Sequence, residues 1–214
     1  MRNNAVNLIN SRSSLLKIDT EHLHYWMQAI RNSDDPHRVL DAFWSGQIKS
    51  KEWLIDNLYP YITKEVSVDI HGGWVGVLAS MLFQSGLPIT KIRSIDIDNK
   101  VQSTANMMNK GEEISGKFIA LLANMCDIAS DYDVIINTSC EHISQSQYDH
   151  WLANQSQNSL IVLQSNNYSI EEHVRTANSL EEFISQSNIE LMWSGELELS
   201  LYTRYMLIGK PVRE

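Results

Sequence analysis

A short run of β-branched residues at 66–70 ends in an acidic residue and two glycines. Residues of these types at this spacing could bind a ligand. Asp69, Gly72 and Gly73 close this segment, and an apolar, helix-compatible run begins directly after them. Glycine accepts backbone angles that side chains forbid, and it lets a ligand approach the main chain closely. Free N–H groups at a helix start favour an electronegative ligand. The stretch predicts a ligand-binding turn, or else an ordinary connection between a strand and a helix.

Asp96 ends the next apolar segment, roughly twenty residues after the glycines, which is the spacing expected of a ribose-binding carboxylate. The alternative is a solvated strand end or a helix N-cap, although Asp98 is the better cap. The dinucleotide fingerprint G-x-G-x-x-G is incomplete, because His71 stands where its first glycine would be. A carboxylate at Asp69 would also repel a diphosphate and attract a cation. The pattern favours a nucleoside ligand over a dinucleotide.

The later apolar segments also end in polar residues, and ligands of open parallel sheets bind outside the carboxyl ends of the strands. His142 is the candidate base because its unperturbed pKa is near neutrality, or it only hydrogen-bonds its loop. Glu141 could orient it, and His173 could complete a metal site with both. No ligand-spacing motif supports a metal, so we expect none. For substrate binding we select a polar cluster at the fifth strand end: Gln164, Asn166, Asn167 and Tyr168.

Alternating patterns predict the elements that must position these residues. Three helical stripes occupy roughly the first sixty residues, with Gly46 ending the second helix and Ser50 or Lys51 opening the third. Strands and helices then alternate as far as residue 186, which predicts an α/β fold with a parallel sheet covered on both faces. Residues 189–193 and 201–208 are two strands without a helix between them. They must be antiparallel, joined by a long loop at 194–200.

Composition limits the classes of function. The chain has 214 residues, of which 43% are hydrophobic, enough for one full core. Its net charge is −9 without a long basic run, which does not favour nonspecific binding to nucleic acid. Two cysteines, Cys126 and Cys140, do not form a disulfide framework and fit a reducing compartment. We expect a cytoplasmic protein without signal peptide or membrane span, with a loosely held arm (1–18) and helical cap in residues 1–62 and a second unit in 63–214.

Four ordered motifs resemble those of class I S-adenosylmethionine-dependent methyltransferases. They are DIHGGWVG from Asp69, SIDID around Asp96, NMCD ending at Asp127 and IINTSCEHI around Glu141. The resemblance covers roughly residues 64–210. It implies a Rossmann-like, doubly wound seven-stranded sheet, mostly parallel with the last strand antiparallel, and S-adenosylmethionine as the cofactor.

The resemblance also implies a role for each motif. The first motif would hold the methionine end of the cofactor, the second its ribose, the third its adenine, and the fourth would face the methyl group. Carried over by position, these cofactor-binding residues are Asp69, Gly72, Gly73, Gly76, Asp96, Ile97, Met125, Cys126, Asp127, Asn137 and Thr138.

The fourth motif departs from part of the family. It lacks the Asn/Asp-Pro-Pro-aromatic pattern of many methyltransferases that modify nucleic acid bases or glutamine. Its Glu141–His142 pair is similar to one in several small-molecule O-methyltransferases. A metal-dependent RNA 2′-O-methyltransferase has the pair too, with a further glutamate where this chain has Thr138. The extra N-terminal helices are typical of small-molecule members, in which they form a lid.

We therefore expect methyl transfer by in-line displacement to a small-molecule acceptor, with Asn137, Glu141 and His142 at the reacting centre. One alternative is a noncatalytic S-adenosylmethionine-binding partner subunit. Another is a nucleic-acid or RNA methyltransferase. A third is a different enzyme class on the same nucleotide fold, such as an oxidoreductase or an aminopropyl transferase.

Overall fold

The computed structural model describes residues 20–212, which form a seven-stranded sheet with helices on both faces. The spatial order of the strands is β3-β2-β1-β4-β5-β7-β6, and β7 is antiparallel to both of its neighbours. This confirms the predicted α/β class, the seven strands and the antiparallel last strand. The strands are β1 (Val66–His71), β2 (Ile89–Asp96), β3 (Phe118–Leu122), β4 (Val134–Asn137), β5 (Leu160–Asn166), β6 (Ile189–Glu198) and β7 (Thr203–Pro211).

The α-helices of the described range precede the sheet or connect its strands. Three come before β1: α1 (Thr20–Asn32), α2 (Pro36–Asp41) and α3 (Ser45–Leu58). The others are α4 (Val77–Gln84), α5 (Gln102–Met108), α6 (Lys110–Ile114), α7 (Gln145–Ala153) and α8 (Leu180–Ser187). Single 3-10 turns follow β3 (Met125–Asp127) and β4 (Cys140–His142). Within residues 20–212, no helix is long and apolar enough to cross a membrane.

Strand alternation sends neighbouring side chains into two cores, one on each face of the sheet. Ile136 of β4 packs with α3 and α4, whereas the adjacent Ile135 packs with α7 and α8. This is the period-two burial expected of a strand covered on both faces. The first core includes Leu54 and Leu58 of α3. The last helix before the sheet therefore packs directly on it.

Helix α1 packs on the outside of α4 and α5. The indole Nε1 of Trp26 donates to Ser80 Oγ at 3.0 Å, and Ala29 belongs to a small apolar cluster with Val77 and Met108. The arm predicted at residues 1–18 and the candidate cap Asp19 lie outside the described residues.

Three predicted boundaries were wrong. The third helix does not open at Ser50 or Lys51 but at Ser45, and Gly46 is its second residue instead of a helix end. The preceding helix closes earlier, in i→i+3 turns at Ala42, Phe43 and Trp44. The predicted loop 194–200 is mostly strand, since β6 pairs with β7 as far as Glu198. Strand β6 is an edge strand with exposed and half-buried side chains, so it carries no apolar alternation that would predict its length.

Candidate functional site

A cavity of about 750 Å³ opens where β1, β2, β4 and β5 end. From β1 the chain passes to β2 and β3 on one side of the sheet and then crosses back to β4 on the other side of β1. The cavity therefore lies at the switch in strand order, where α/β sheets bind ligands. Its size is within the range of roughly 300–1,000 Å³ that small-molecule sites occupy. The lining residues predicted from the sequence are Gly72, Gly73, Asp96, Ile97, Met125, Thr138, Glu141, His142, Asn166 and Tyr168.

The turn after β1 forms one wall of the cavity with its backbone. Gly72 has a φ of +71°, and a Cβ there would lie 2.4 Å from Ser139 Oγ. A Cβ on Gly73 would lie 1.9 Å from Ser94 Oγ. Both glycine N–H groups donate to the carbonyl oxygen of Ile95 at 2.9 Å. The turn is therefore too tightly packed for side chains, and a ligand on this side meets main chain.

Trp74, which follows the glycines, has a positive φ of 49°. Such a backbone conformation is uncommon for a bulky residue, and strained residues of this kind cluster at binding sites. It directs the Trp74 N–H to Asp96 Oδ2 at 2.8 Å. Trp74 also lines the cavity, and no role for it was predicted from the sequence.

Asp96 presents an oriented carboxylate at the end of β2. Its Oδ1 accepts the N–H of Asp98 at 3.0 Å while Oδ2 accepts that of Trp74. Each oxygen keeps a further acceptor position, because a carboxylate oxygen has two lone pairs. The adjacent Ile97 side chain is 72% exposed. The pair combines two acceptors with an apolar surface, which suits a ribose next to a flat base.

Asp69 does not line the cavity but is fully buried in the sheet. Strand β1 continues to His71, so Asp69 is two residues inside the sheet and opposite Arg93 of β2. Arg93 Nε donates to its Oδ1 at 2.9 Å. Burial by itself would raise the pKa of Asp69, but hydrogen bonds from Arg93 and His71 outweigh it and lower the pKa to about 2.

Trp151 determines which ring nitrogen of His71 carries the proton. The indole Nε1 can only donate, and it lies 2.8 Å from His71 Nδ1. The His71 proton is therefore on Nε2, which lies 3.1 Å from Asp69 Oδ2 and donates to it. Asp69, which the sequence predicted as a cofactor contact, is thus hydrogen-bonded to Arg93 and His71 of its own chain.

Six other residues predicted for the site do not line the cavity: Gly76, Cys126, Asp127, Asn137, Gln164 and Asn167. Three of them shape its surroundings. Asn137 Oδ1 accepts the N–H of Ser139 at 2.9 Å and so fixes the loop after β4. Gln164 Oε1 accepts from Ser50 Oγ at 3.0 Å, which joins β5 to α3. Asn167 Oδ1 accepts the N–H of Thr203 at 2.8 Å.

The remaining three lie near the ends of neighbouring elements. Gly76 has a φ of +81°, and a Cβ there would lie 2.7 Å from Asn109 Nδ2. Cys126 is buried under α7. The exposed Asp127 accepts from Asn124 Nδ2 at 3.1 Å.

A buried ion pair forms another part of the cavity wall. Glu141 Oε1 accepts from Arg204 Nη1 at 3.0 Å and from Asn166 Nδ2 at 2.5 Å. Glu141 and Arg204 are 3% and 5% exposed. Arg204 was not predicted from the sequence, although an arginine directly before the apolar run 205–208 was a usable signal, because arginine is seldom buried unless paired.

Two histidines lie beside this ion pair. The rings of His142 and His173 have centroids 4.7 Å apart at an interplanar angle of 82°. His142 Nδ1 lies 3.2 Å from the carbonyl oxygen of Glu172, and His173 Nδ1 lies 2.6 Å from that of Tyr168. The chain between β5 and α8 thus brings His173 to the loop after β4, a juxtaposition that the sequence left open.

Helices α2 and α3 and the turn between them complete the cavity with Arg38, Trp44, Gln47 and Lys51. Burial, together with the charge of Arg204, lowers the pKa of Lys51 to about 7. Its Nζ donates to Gln47 Oε1 at 2.9 Å. By contrast, burial raises the pKa of Cys140 to about 12, so this residue is a protonated thiol at neutral pH and not a nucleophile.

Comparison with solved structures supplies relatives of the fold. The chain matches magnesium protoporphyrin IX methyltransferase from Synechocystis PCC 6803, solved with bound S-adenosylmethionine, with a TM-score of 0.61 at 14% identity over 87% of this chain and 90% of that one. It matches geranyl diphosphate methyltransferase in complex with S-adenosylmethionine, with a TM-score of 0.61 at 10% identity over 87% and 95%. Mitomycin 7-O-methyltransferase matches with a TM-score of 0.61 at 13% identity over 86% and 60%. No protein-family profile and no curated protein matches the chain.

Proposed function

We propose that this chain, which has the fold of the class I S-adenosylmethionine-dependent methyltransferases, transfers a methyl group from S-adenosylmethionine to a small-molecule acceptor. The observation that carries the proposal is Asp96. It is an oriented carboxylate at the end of β2, beside an exposed apolar side chain and a glycine turn. All three border one cavity at the switch in strand order. The three neighbours named above are methyltransferases, which supports the same reaction here.

In this proposal the cofactor occupies the side of the cavity between β1 and β3. Asp96 accepts hydrogen bonds from the two ribose hydroxyls, and Ile97 and Met125 pack against the adenine. The backbone of Gly72 and Gly73 borders the methionine end. Thr138 lies after β4, between this side and the acceptor. Asp69, Asn137 and Gly76 support these contacts from behind the cavity wall.

The acceptor would occupy the opposite side, between the loop after β4 and the end of β5. Glu141, His142, Asn166 and Tyr168 all line the cavity there. Residues of α2 and α3 border the same cavity, so we infer that the helices between residues 20 and 62 cap the site of the unit 63–214. A capped cavity favours a small molecule over a polymer. The neighbours whose names include magnesium protoporphyrin IX, mitomycin and geranyl diphosphate support this choice.

Methyl transfer to such an acceptor is an in-line displacement at the sulfonium. The protein therefore contributes mainly by aligning the two reactants and excluding water. An acceptor hydroxyl must also lose a proton. His142 offers a free Nε2 for this step, because its Nδ1 hydrogen is directed at the Glu172 carbonyl. That nitrogen can take the proton itself or act through a bound ion.

An acceptor screen tests the proposal. Purified protein is incubated with S-adenosylmethionine and panels of phenols, amines and carboxylic acids, and S-adenosylhomocysteine formation is measured. At least one class should raise formation above the rate without acceptor. With that acceptor, His142→Ala should lower turnover by about 10²–10⁴ with little change in cofactor affinity. The control His24→Ala, an exposed histidine on α1, should keep full turnover. Tight cofactor binding without any responding acceptor would contradict the catalytic proposal.

A further inference from the structure

We propose that Glu141, His142 and His173 bind a divalent transition-metal ion at the acceptor side of the cavity. The three residues each offer one ligand atom, and these atoms lie within 4.8 Å of one another. All three residues line the cavity. Glu141 and His142 follow β4, whereas His173 comes from the segment after β5, so only the folded sheet brings them together.

Both histidines are oriented as metal ligands usually are. The Nδ1 atom of each faces a backbone carbonyl oxygen, that of Glu172 for His142 and that of Tyr168 for His173. A carbonyl oxygen can only accept, so each Nδ1 carries the hydrogen and each Nε2 keeps its lone pair. A metal-binding imidazole commonly donates its second ring N–H in this way, which fixes the tautomer and the ring orientation. Two basic nitrogens are thereby held at one end of the cavity.

Glu141 provides the second, independent observation. Its Oε1 accepts from both Arg204 and Asn166. Its Oε2 is buried and has no hydrogen-bond partner among residues 20–212. A buried carboxylate oxygen without a partner is costly, since it has lost water without gaining a replacement. Arg204 is engaged on the other oxygen, so a cation held by the two imidazoles would satisfy Oε2.

The donor set selects the kind of ion. Imidazole nitrogen together with one carboxylate suits zinc, iron, cobalt, nickel and manganese, whereas magnesium and calcium prefer oxygen ligands. Ligands at about 2.0–2.2 Å from one ion lie at most about 4.4 Å from each other, so the present spacing requires only small side-chain movements. Three protein ligands leave at least one coordination position open, as in catalytic rather than structural sites.

The open position would allow the ion to activate the methyl acceptor. This role rests on the proposed function, whereas the ion site is argued from the side chains alone. An acceptor hydroxyl bound there would lose its proton to water more readily, because the cation stabilises the oxyanion. The oxyanion then forms a bond to the methyl carbon as the carbon–sulfur bond breaks. The electron pair of that bond returns to sulfur, which becomes a neutral thioether. The preferred acceptor would be an oxygen nucleophile that can bind a metal.

Titration with Co²⁺ tests the site, because its visible absorption reports nitrogen and oxygen ligation directly. The chelator-treated full chain should bind one Co²⁺ with a new absorption band. His142→Ala and His173→Ala should each weaken this binding more than about 100-fold, since loss of an outer-shell partner alone costs about 10–100-fold. The control His24→Ala should bind as the native chain does. Equal Co²⁺ binding by all four proteins, or none by the native chain, would overturn the proposal.

A parallel calorimetric titration with S-adenosylmethionine separates the two proposals. Cofactor binding without the histidine-dependent Co²⁺ band would contradict the metal site and leave methyl transfer standing. The Co²⁺ band without cofactor binding would support the metal site and contradict the proposed function. Unchanged circular dichroism of the histidine variants would show that lost binding is not lost folding.

Discussion

The carboxylate of Asp69 lies between Arg93 and His71, and both contacts stabilise its ionised form. Because its pKa falls from 3.8 to about 2 on folding, its contribution to stability is fully present above about pH 4. It is lost as the pH falls from about 4 towards 2. A shift of this size corresponds to about 2 kcal/mol.

We predict that Asp69→Asn lowers the free energy of unfolding at pH 7 by about 3 kcal/mol, because it leaves Arg93 without its buried counter-charge. The difference from the native chain should shrink between pH 4 and pH 2, as the native carboxylate is itself protonated. Urea unfolding at several pH values measures both effects. The control Asp56→Asn, an exposed aspartate on α3, should change stability little. Normal stability with weakened cofactor binding would return Asp69 to the ligand site.

A residue of the site can be predicted from the sequence only when the residues that surround it in space are also close to it in the chain. The positions of Gly72, Gly73 and Asp96 on the cavity wall could be predicted, because a glycine turn and a strand end carry their own local signal. Lys51 and Arg204 were missed, because they reach the cavity from α3 and β7, far away in the chain. Asp69 stands at a motif position, but the cross-strand register with Arg93 determines its surroundings.

Helix α3 is the element that joins the N-terminal helices to the sheet. Its Leu54 and Leu58 are fully buried in the main core, and Ser50 is hydrogen-bonded to Gln164 of β5. One turn of the same helix carries Gln47 and Lys51 into the cavity wall. The helix therefore contributes both to the core and to the site.

We expect a chain that begins at Thr63 to aggregate or to lose cofactor binding, because removal of α3 would expose the apolar face that Leu54 and Leu58 cover. Size-exclusion chromatography and thermal unfolding with and without S-adenosylmethionine would measure this against the full chain. A monomeric, cooperatively folding truncation with native affinity would show that residues 1–62 are dispensable for the site.

Strands and helices that are buried on both sides were easier to predict from the sequence than those at an edge. Strands β1 and β4 were evident from their β-branched residues, which alternate in β1 at Val66, Val68 and Ile70 and run together in β4 from Val134 to Ile136. The outer half of β6 was assigned to a loop because an edge strand has one partner and mixed side chains. The start of α3 was misplaced because glycine commonly ends a helix, whereas the position of Gly46 inside α3 depends on tertiary packing.

At the scale of the molecule, the sheet order determines where the chemistry lies. The crossover from β3 back to β4 places the ends of β1 and β4 side by side, with β2 and β5 flanking them. The alternating sequence pattern predicted a parallel sheet that ends in an antiparallel pair, and the family resemblance added the number of seven strands. The side-chain set of the acceptor side required the structure, because it combines α3, two loops and β7.

Isothermal titration of the full chain with S-adenosylmethionine, beside Asp96→Ala and the control Asp56→Asn, tests whether the cavity binds this cofactor through Asp96. We predict one site in the native chain and in the control, with no comparable heat from NAD. Asp96→Ala should bind roughly 10–100-fold more weakly, since it loses charge-assisted hydrogen bonds worth about 1.5–3 kcal/mol. No binding by the native chain, or equal affinity in a folded Asp96→Ala, would contradict this prediction.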